Sequence, residues 1–409
     1  MEHTQNTWKR QTILFLMSQC LTQFGSMIVQ MAVIWYVTLE TSSGVWIAAF
    51  SVCSYLPQFL ISFAGGVWAD RYSRKSMIVL ADGMIAAATL VMFFLMPGIA
   101  PGNGLLTALL IMSAVRSLGA GIQTPAVSSV IPGLVPEKHL IRCNGIYMAV
   151  QSAVQFAAPA AAGAVLAVGT LRTTLLIDVF TAVFGIGLLS CVCIARKTPQ
   201  KGSGSMLSDI KTGIRYSFSD RSIGKLLIVY GLFIFLSVPA GFMAGLLVSR
   251  VYGDTYWYLT ASELVGSAGM TVGGMLMGTW GGFRSRMKTL TLGLAALGIL
   301  TIGMGVSPHF ILYLVFLFAY SVAITVIQTA VTTLIQETAD TAVRGRVFGL
   351  MGALYSGFLP LGMLAFGPLA DLFPLQWLMI GTGVPLIAIS LCFRADARKK
   401  APTNERKQR

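Results

Sequence analysis

The sequence has little charge and few of the residues that build catalytic or metal sites. Charged side chains make up 11% of its 409 residues, whereas they make up about a quarter of a soluble domain. This composition therefore does not fit a soluble globular protein. The three histidines, His3, His139 and His309, lie in a tail or in loops, and no cysteine stands at metal-ligand spacing from them. The phosphate-binding P-loop is also missing, which argues against ATP hydrolysis. We therefore expect no cofactor and no enzyme activity.

Long apolar runs are what the sequence has in abundance. It is 55% hydrophobic, and a bilayer can take up such a chain as helices of roughly 20 apolar residues that satisfy their own backbone. A membrane barrel would need alternating residues, and runs such as 78–96 do not alternate. The sequence predicts an all-α membrane protein with twelve transmembrane helices, at about 13–38, 44–68, 76–97, 104–124, 144–167, 173–195, 223–249, 259–282, 288–306, 310–335, 347–371 and 375–393.

One long polar connection divides these twelve spans into two sets of six. We predict four regions: an N-terminal six-helix bundle at 1–195, a cytoplasmic linker at 196–222, a C-terminal six-helix bundle at 223–394 and a basic cytoplasmic tail at 395–409. Two segments recur about half a chain length apart, because 123–131 parallels 328–335 and 65–75 parallels 278–288. Such repeats predict two pseudo-symmetric bundles, an architecture in which transporters bind substrate near the membrane midplane.

Basic residues are distributed unevenly between the two predicted membrane faces. The formal net charge is +14, and all Lys and Arg residues except Arg116, Arg172 and Arg250 fall on the side that holds the N-terminus. By the positive-inside rule, we expect a multi-pass protein of the cell membrane with both termini in the cytoplasm. Nucleic-acid binding would need basic residues gathered with aromatics on a polar face. The lipid bilayer explains the charge better than a nucleic acid does.

A charge cluster on the second loop is the most informative motif. The pattern Gly66-x3-Asp70-Arg71-x2-Arg74-Lys75 resembles the loop between the second and third helices of the major facilitator superfamily of transporters. The resemblance implies a gate, in which Asp70 faces the N-terminus of the eleventh helix. The basic residues of the motif would then hold the cytoplasmic faces of the two halves together. The alternative is that these residues are ordinary positive-inside anchors.

Four charged residues inside predicted spans are candidates for coupling transport to protons. A charge at the centre of a span costs about 2.5–3.5 kcal/mol, so Arg116 is expected to face a wet cavity or a partner. Its spacing from Gly119 and Gly121 resembles a fourth-helix motif of drug/proton antiporters, which implies a coupling role; the alternative is a side chain that snorkels to the interface. Three acids could carry the proton, and they are Asp82, Asp178 and Glu263. The alternative for Asp82 is a structural pairing with loop arginines. Asp178 and Glu263 could instead contact a cation, form an interhelical pair or lie at a wet, exposed site.

Polar residues at helical spacing predict a water-filled cavity that hydrogen-bonds a solute. The alternative is that they join helices to one another. The candidates for lining this cavity are Gln19, Gln23, Gln30, Ser54, Tyr55, Gln58, Gln151, Gln155, Thr325 and Gln328. In the fifth span, Pro159 and Gly163 match part of a glycine–proline motif of drug antiporters, where they would permit a bend and close packing.

Nearly the whole chain is similar to the macrolide efflux proteins of the facilitator superfamily. The stretches that carry the likeness are 30–32, 70–75, 116–119, 124–126, 134–137, 177–179 and 345–348. The resemblance implies proton-driven export of small amphipathic, macrolide-like drugs by alternating access, and hence drug resistance. We expect a monomer. The alternatives are export of a siderophore or lipid, proton-coupled uptake, and, outside the transporters, a polytopic membrane enzyme or a passive channel or receptor.

Overall fold

A computed structural model describes residues 2–136, 139–193, 221–283, 285–339 and 344–400, and all the regular secondary structure in these ranges is helical. Most of the predicted linker at 196–222 and the end of the predicted tail at 395–409 lie outside these residues. The described residues pack into two compact units. The first holds 2–42, 46–193 and 255–260, and the second holds 43–45, 221–254 and the described part of 261–400.

Long helices build the first unit. They are α1 Glu2–Thr41, α2 Gly44–Arg71, α3 Arg74–Leu95, α4 Asn103–Leu134, α5 Leu140–Val168 and α6 Leu171–Ser190. A short 3-10 turn, Met96–Gly98, follows α3. Local sequence sets two of the starts, since the Ser73 hydroxyl accepts a hydrogen bond from the Ser76 N–H at 3.4 Å before α3, and Thr170 and Thr173 form a capping box before α6. The Ser73 and Thr173 hydroxyls thus accept from the backbone N–H groups of Ser76 and Thr170, which would otherwise lack a partner at the helix start.

The second unit begins with an interrupted helix. Its elements are α7 Arg221–Leu236, α8 Val238–Gly241, α9 Ala244–Val251, α10 Tyr256–Trp280, α11 Arg286–Val306, α12 Phe310–Thr338, α13 Arg344–Leu372 and α14 Leu375–Lys400. The predicted span at 223–249 is therefore divided among α7, α8 and α9. Pro239 lies in the first turn of α8, where its missing N–H is tolerated, whereas inside a continuous helix it would break a hydrogen bond.

Among the described residues, ten helices are long and apolar enough to cross a membrane. They correspond to ten of the twelve predicted spans. The remaining two predicted spans fall on α7–α9 and on α10.

The two units repeat the same internal packing order. In the first unit, α1 packs against α5 and α6, and α3 packs against α4 and α6. In the second unit, α7 packs against α13, and α11 packs against α12 and α14. Numbered by span, the third helix of each set lies against the fourth and the sixth, and the first lies against the fifth. This agrees with the internal repeat that the sequence suggested.

Small residues allow the helices to approach closely. A Cβ on Gly298 of α11 would lie 2.5 Å from the Gly383 carbonyl oxygen of α14, and a Cβ on Gly383 would lie 2.7 Å from the Gly298 oxygen. A Cβ on Gly163 of α5 would overlap the Thr260 hydroxyl, so the structure gives Gly163 a packing role. The helix α5 continues without a break through Pro159, and the predicted bend there stays a prediction.

A hydrophobic core cluster closes one end of the first unit. It lies where α1 and α3 begin and where α4 and α6 end, and its buried members include Phe15, Ile78, Val127, Val130 and Leu189. The polar candidate residues Asp82, Arg116 and Asp178 lie beyond this cluster, towards the middle of the helices.

Candidate functional site

The side chains of Arg116 and Asp178 form an ion pair inside the first unit. Arg116 of α4 donates from Nη1 to Oδ2 of Asp178 on α6, and both side chains are buried. The sequence had marked the two residues separately, and the structure brings them together. The guanidinium is bound within the helix bundle, so it does not snorkel to an interface. A buried charge of this kind persists only where an opposite charge and hydrogen bonds compensate for the lost water.

Two further helices complete what we call the Arg116–Asp178 cluster, which comprises Ser26, Thr89, Arg116 and Asp178. The Thr89 hydroxyl of α3 lies 2.9 Å from Asp178 Oδ2, and the Ser26 hydroxyl of α1 donates to Oδ1 at 3.2 Å. Arg116 also donates to the Ser26 carbonyl oxygen at 3.2 Å and to the Thr89 hydroxyl. Donors from α1, α3 and α4 therefore converge on one carboxylate. Any movement of one helix relative to another would alter its hydrogen bonding.

Glycines bring α1 against α6 at this depth. A Cβ on Gly25 would overlap the Thr181 side chain, and a Cβ on Gly185 would overlap Thr22. The Ser18 hydroxyl donates to the Gly185 carbonyl oxygen at 2.8 Å, which ties the two helices together. This close contact places Ser26 within reach of the Asp178 carboxylate.

A second buried carboxyl, Asp82, lies on α3 nearer the core cluster. Gln123 of α4 donates from Nε2 to Asp82 Oδ1 at 2.5 Å, whereas Oδ2 has no hydrogen-bond partner among the described residues. Asp82 precedes Thr89 by seven residues, and Gln123 follows Arg116 by seven residues. Two helical turns, or about 10.5 Å along the helix, therefore separate Asp82 and Gln123 from the Arg116–Asp178 cluster. Sequence reasoning missed Thr89 and Gln123, although these seven-residue offsets place them on the faces of Asp82 and Arg116.

The described part of the predicted gating loop binds the ends of α4 and α6. Arg74 donates from Nη1 to the Ser129 carbonyl oxygen at 2.6 Å. Lys75 donates from Nζ to the carbonyl oxygens of Ser190 and Val192, at 2.7 and 2.8 Å. Cations are favourable at helix C-termini, where carbonyl groups lack partners. Gly66, Asp70 and Arg71 fall in the last turns of α2, but their side chains lie outside the described part of the chain, so the gating role of this loop stays a prediction.

The polar stripes of the first unit fall into two classes. Some residues join helices: Gln23 of α1 and Gln151 of α5 both donate to the Tyr147 hydroxyl, at 3.3 and 2.7 Å. The Ser117 hydroxyl of α4 donates to the Ser54 carbonyl oxygen of α2 and accepts from the Gln58 N–H. Others are exposed, and these are Gln30, Tyr55 and Gln155. Gln19 is fully buried, so it lies in the interior of the unit and not on a solvent-facing surface.

The remaining candidates lie in the second unit. Thr325 of α12 donates to the Ser321 carbonyl oxygen at 3.1 Å and to the Met270 carbonyl oxygen of α10 at 3.4 Å. Gln328 of α12 and Glu263 of α10 are exposed. The structure does not place Glu263 in the Arg116–Asp178 cluster, which belongs to the first unit.

Comparisons with known proteins agree with this arrangement. Residues 15–362 match the profile of the Major Facilitator Superfamily. Macrolide efflux protein A of Streptococcus pyogenes is 27% identical over 395 residues, which cover 94% of this chain and 96% of that protein. The multidrug efflux pump Tap of Mycobacterium tuberculosis is 23% identical over 407 residues, which cover 95% of this chain and 93% of that protein.

Solved structures show the same fold. A bacterial homologue of the iron transporter ferroportin in an inward-facing state superposes with a TM-score of 0.71 at 18% identity, over 94% of this chain and 98% of that one. A D-xylose–proton symporter gives a TM-score of 0.69 at 13% identity, over 95% and 97% of the two chains. At such identities the likeness bears on the fold alone. Together with the family match, it confirms the predicted all-α fold of two six-helix bundles.

Proposed function

Because this chain belongs to the Major Facilitator Superfamily, it is a multi-pass membrane transporter of small molecules and not an enzyme, and we propose that it exports amphipathic, macrolide-like compounds in exchange for protons. Two relatives that match almost its whole length are named as macrolide and multidrug efflux proteins, which supports export and this class of substrate. The proposal includes a cell-membrane location, cytoplasmic termini and alternating access. In it, the loop at 66–75 acts as the cytoplasmic gate.

The buried Arg116–Asp178 pair is the observation that carries the proton-coupled part of the proposal. A buried carboxyl stays ionised only while a compensating cation lies beside it. If α4 and α6 shift so that the guanidinium leaves, the carboxyl takes up a proton, and when the pair re-forms, the proton is released. The cluster draws its donors from three other helices, so a change of bundle conformation would be felt at Asp178.

Substrate recognition would rely on apolar surface with a few polar contacts. Ligand sites for drug-sized molecules are predominantly apolar, and a small number of polar groups fix the orientation of the ligand. The exposed candidates Gln30, Tyr55, Gln155 and Gln328 can supply such hydrogen bonds. Because amide and phenol groups are neutral, they would accept a range of amphipathic molecules without requiring one charge.

Transport into inside-out membrane vesicles tests the proposal. Vesicles from cells that express the protein should accumulate radiolabelled erythromycin when their interior is acidic, and an ionophore that collapses the pH gradient should abolish this accumulation. Accumulation in right-side-out vesicles instead would show that the protein is an uptake carrier. Accumulation of labelled lipid or siderophore, with none of erythromycin, would contradict the proposed substrate.

A pair of arginine variants tests the coupling role. Arg116→Ala should still exchange erythromycin across the membrane but should no longer respond to the pH gradient, because Asp178 then loses its counter-charge. The matched control is Arg172→Ala, since Arg172 is also an arginine of the first unit, but it is exposed and lies 4.2 Å from the centre of the Phe93 ring. An unchanged gradient response in Arg116→Ala would refute the coupling role.

A further inference from the structure

A second set of polar side chains, which are buried or half-buried, lies between the Arg116–Asp178 cluster and the core cluster of the first unit. We call it the inner polar layer, and it consists of Gln19, Asp82 and Gln123. Each member lies four residues, or about one helical turn, from a member of the core cluster, namely Phe15 on α1, Ile78 on α3 and Val127 on α4. In all three helices the offset points away from the end that the core cluster closes. Three helices therefore present a polar side chain at a similar depth.

Two members of the inner polar layer are buried, and both are incompletely hydrogen-bonded. Gln19 is fully buried and Asp82 is 3% exposed. Neither amide atom of Gln19 has a hydrogen-bond partner among the described residues, and neither has Oδ2 of Asp82. Buried polar atoms without partners are few in native proteins, and each one calls for an explanation. A bare carboxylate with one hydrogen-bond donor would be the least stable arrangement of all, because the charge is what burial penalises most.

The charges around Asp82 do not balance it. α3 packs against α4, α6 and the 3-10 turn at 96–98. The basic side chains on these elements are Arg116 on α4, which pairs with Asp178 of α6, and Arg172 on α6, which lies at the far end against Phe93. In the first turn of α3 itself, Arg74 and Lys75 bind backbone carbonyls of other segments. The described part of the first unit thus holds two buried carboxyls and one buried arginine, and that arginine pairs with Asp178.

We propose that Asp82 is a proton-binding site, which carries the proton on Oδ2 while Oδ1 accepts the hydrogen bond from Gln123. The proton comes from water and returns to water, so the residue alternates between a neutral acid and a carboxylate. The neutral acid removes the uncompensated charge from the interior. This inference rests on the proposed transport function, because it assigns Asp82 to the proton pathway of that same cycle.

Asp82 and Asp178 differ in what lies beside them. Arg116 donates to the Asp178 carboxylate, whereas Asp82 has no cation beside it among the described residues and is the neutral acid in this proposal. Ile85 and Gly119 lie between the two sites, and a Cβ on Gly119 would lie 2.6 Å from Ile85 Cγ1. Neither of these two residues has a polar side chain, so they supply no proton relay between the two carboxyls. In the proposal, Asp82 exchanges its proton with water that reaches Oδ2.

Infrared difference spectroscopy of the purified full-length protein tests the site without any substrate. The carbonyl stretch of a protonated, buried carboxylic acid should be present in acidic buffer and should disappear as the pH rises. In Asp82→Asn this band should be missing, while in Asp178→Asn it should remain. An unchanged band in Asp82→Asn would overturn the proposal, whatever the vesicle assay shows. If the wild-type protein shows the band but does not transport erythromycin in the vesicle assay, that result would refute the transport function alone.

Two further measurements sharpen the test. The hydrogen bond that Gln123 donates to Oδ1 stabilises the carboxylate form of Asp82. Gln123→Leu removes this donor, so the band of the protonated acid should persist to higher pH than in the wild type. A band that disappears at the same or lower pH would contradict the role of Gln123. The titration is repeated with sodium in place of potassium. The band should disappear at the same pH in both salts. A loss of the band at lower pH in sodium would show that a metal cation competes with the proton at Asp82, and it would contradict a site that takes the proton alone.

Discussion

Each unit of this transporter contains an arginine–aspartate pair, and the two pairs differ mainly in burial. The Arg116 and Asp178 side chains are 10% and 2% exposed, whereas Arg250 and Asp371, joined at 2.8 Å, are each 29% exposed. The exclusion of water strengthens the attraction between opposite charges. It also raises the cost of leaving one of the two charges buried without its partner. The same two residue types therefore form a buried charge pair in one unit and a partly exposed charge pair in the other.

Hydrogen bonding around the second pair supports this distinction. The Asp371 carboxylate accepts hydrogen bonds from the start of α2, which belongs to the same compact unit: Ser43 Oγ at 2.7 Å, Gly44 N at 2.6 Å and Val45 N at 3.0 Å. It thus caps a helix N-terminus, where a negative charge is favourable. Asp178 is held mainly by side chains from separate helices, whereas Asp371 also holds backbone amides. The first arrangement joins the middles of separate helices, and the second caps a helix end.

Breaking the buried pair should have the largest effect. Asp178→Asn leaves the Arg116 guanidinium buried without a counter-charge, so we expect a loss of about 3–5 kcal/mol in the free energy of unfolding. The double variant Arg116→Leu, Asp178→Leu should lose much less than the sum of the single variants Arg116→Leu and Asp178→Leu, because it removes both charges. Chemical denaturation in detergent, followed by tryptophan fluorescence, measures all four variants.

The control for this cycle is Asp254→Asn, which alters an exposed aspartate outside the two pairs. Its free energy of unfolding should stay within about 0.5 kcal/mol of the wild type. Simple additivity of the Arg116 and Asp178 variants would mean that the two charges are not coupled, and burial would then not be what distinguishes the two units.

Neutralising the exposed pair should have a smaller effect that depends on salt. Asp371→Asn keeps an oxygen for the α2 amides but loses the ion pair with Arg250, so we expect a loss of about 1 kcal/mol at low salt. Salt screens exposed charges, and the difference from the wild type should narrow in 1 M salt. The measurement is thermal unfolding at both salt concentrations. A loss as large as that of Asp178→Asn, or one that salt does not change, would contradict the distinction.

Much of the first unit could be predicted from the sequence because charge inside an apolar run is a strong signal. Arg116, Asp82 and Asp178 were singled out for this reason, and all three are buried. Their pairing could not be predicted, since 62 positions separate Arg116 from Asp178 and several acids were equally plausible partners. Which acid pairs with Arg116 depends on how α4 and α6 pack against α3. That packing depends on side-chain volumes.

Uncharged polar residues were harder to interpret. Gln19 shares one helical face with Gln23 and Gln30, and the sequence therefore predicted that all of them line a cavity. The structure buries Gln19, lets Gln23 bind Tyr147, and leaves Gln30 exposed. A helical stripe fixes only the direction of side chains around the axis. Which neighbour lies opposite changes along a long helix, so residues on one stripe meet different surroundings.

A third arginine–acid pair extends the comparison to greater exposure and should show the smallest effect. Arg286 Nε lies 3.4 Å from Glu337 Oε1, and the two side chains are 38% and 53% exposed. Exposed pairs contribute about 0–1 kcal/mol, and Arg286 keeps its hydrogen bond to the Gly281 carbonyl oxygen when the acid is removed. Glu337→Gln should therefore change the free energy of unfolding by less than about 0.5 kcal/mol. If its loss matched that of Asp371→Asn, capping and partial burial would add nothing to the Asp371 pair, and the order of the three pairs would have another cause.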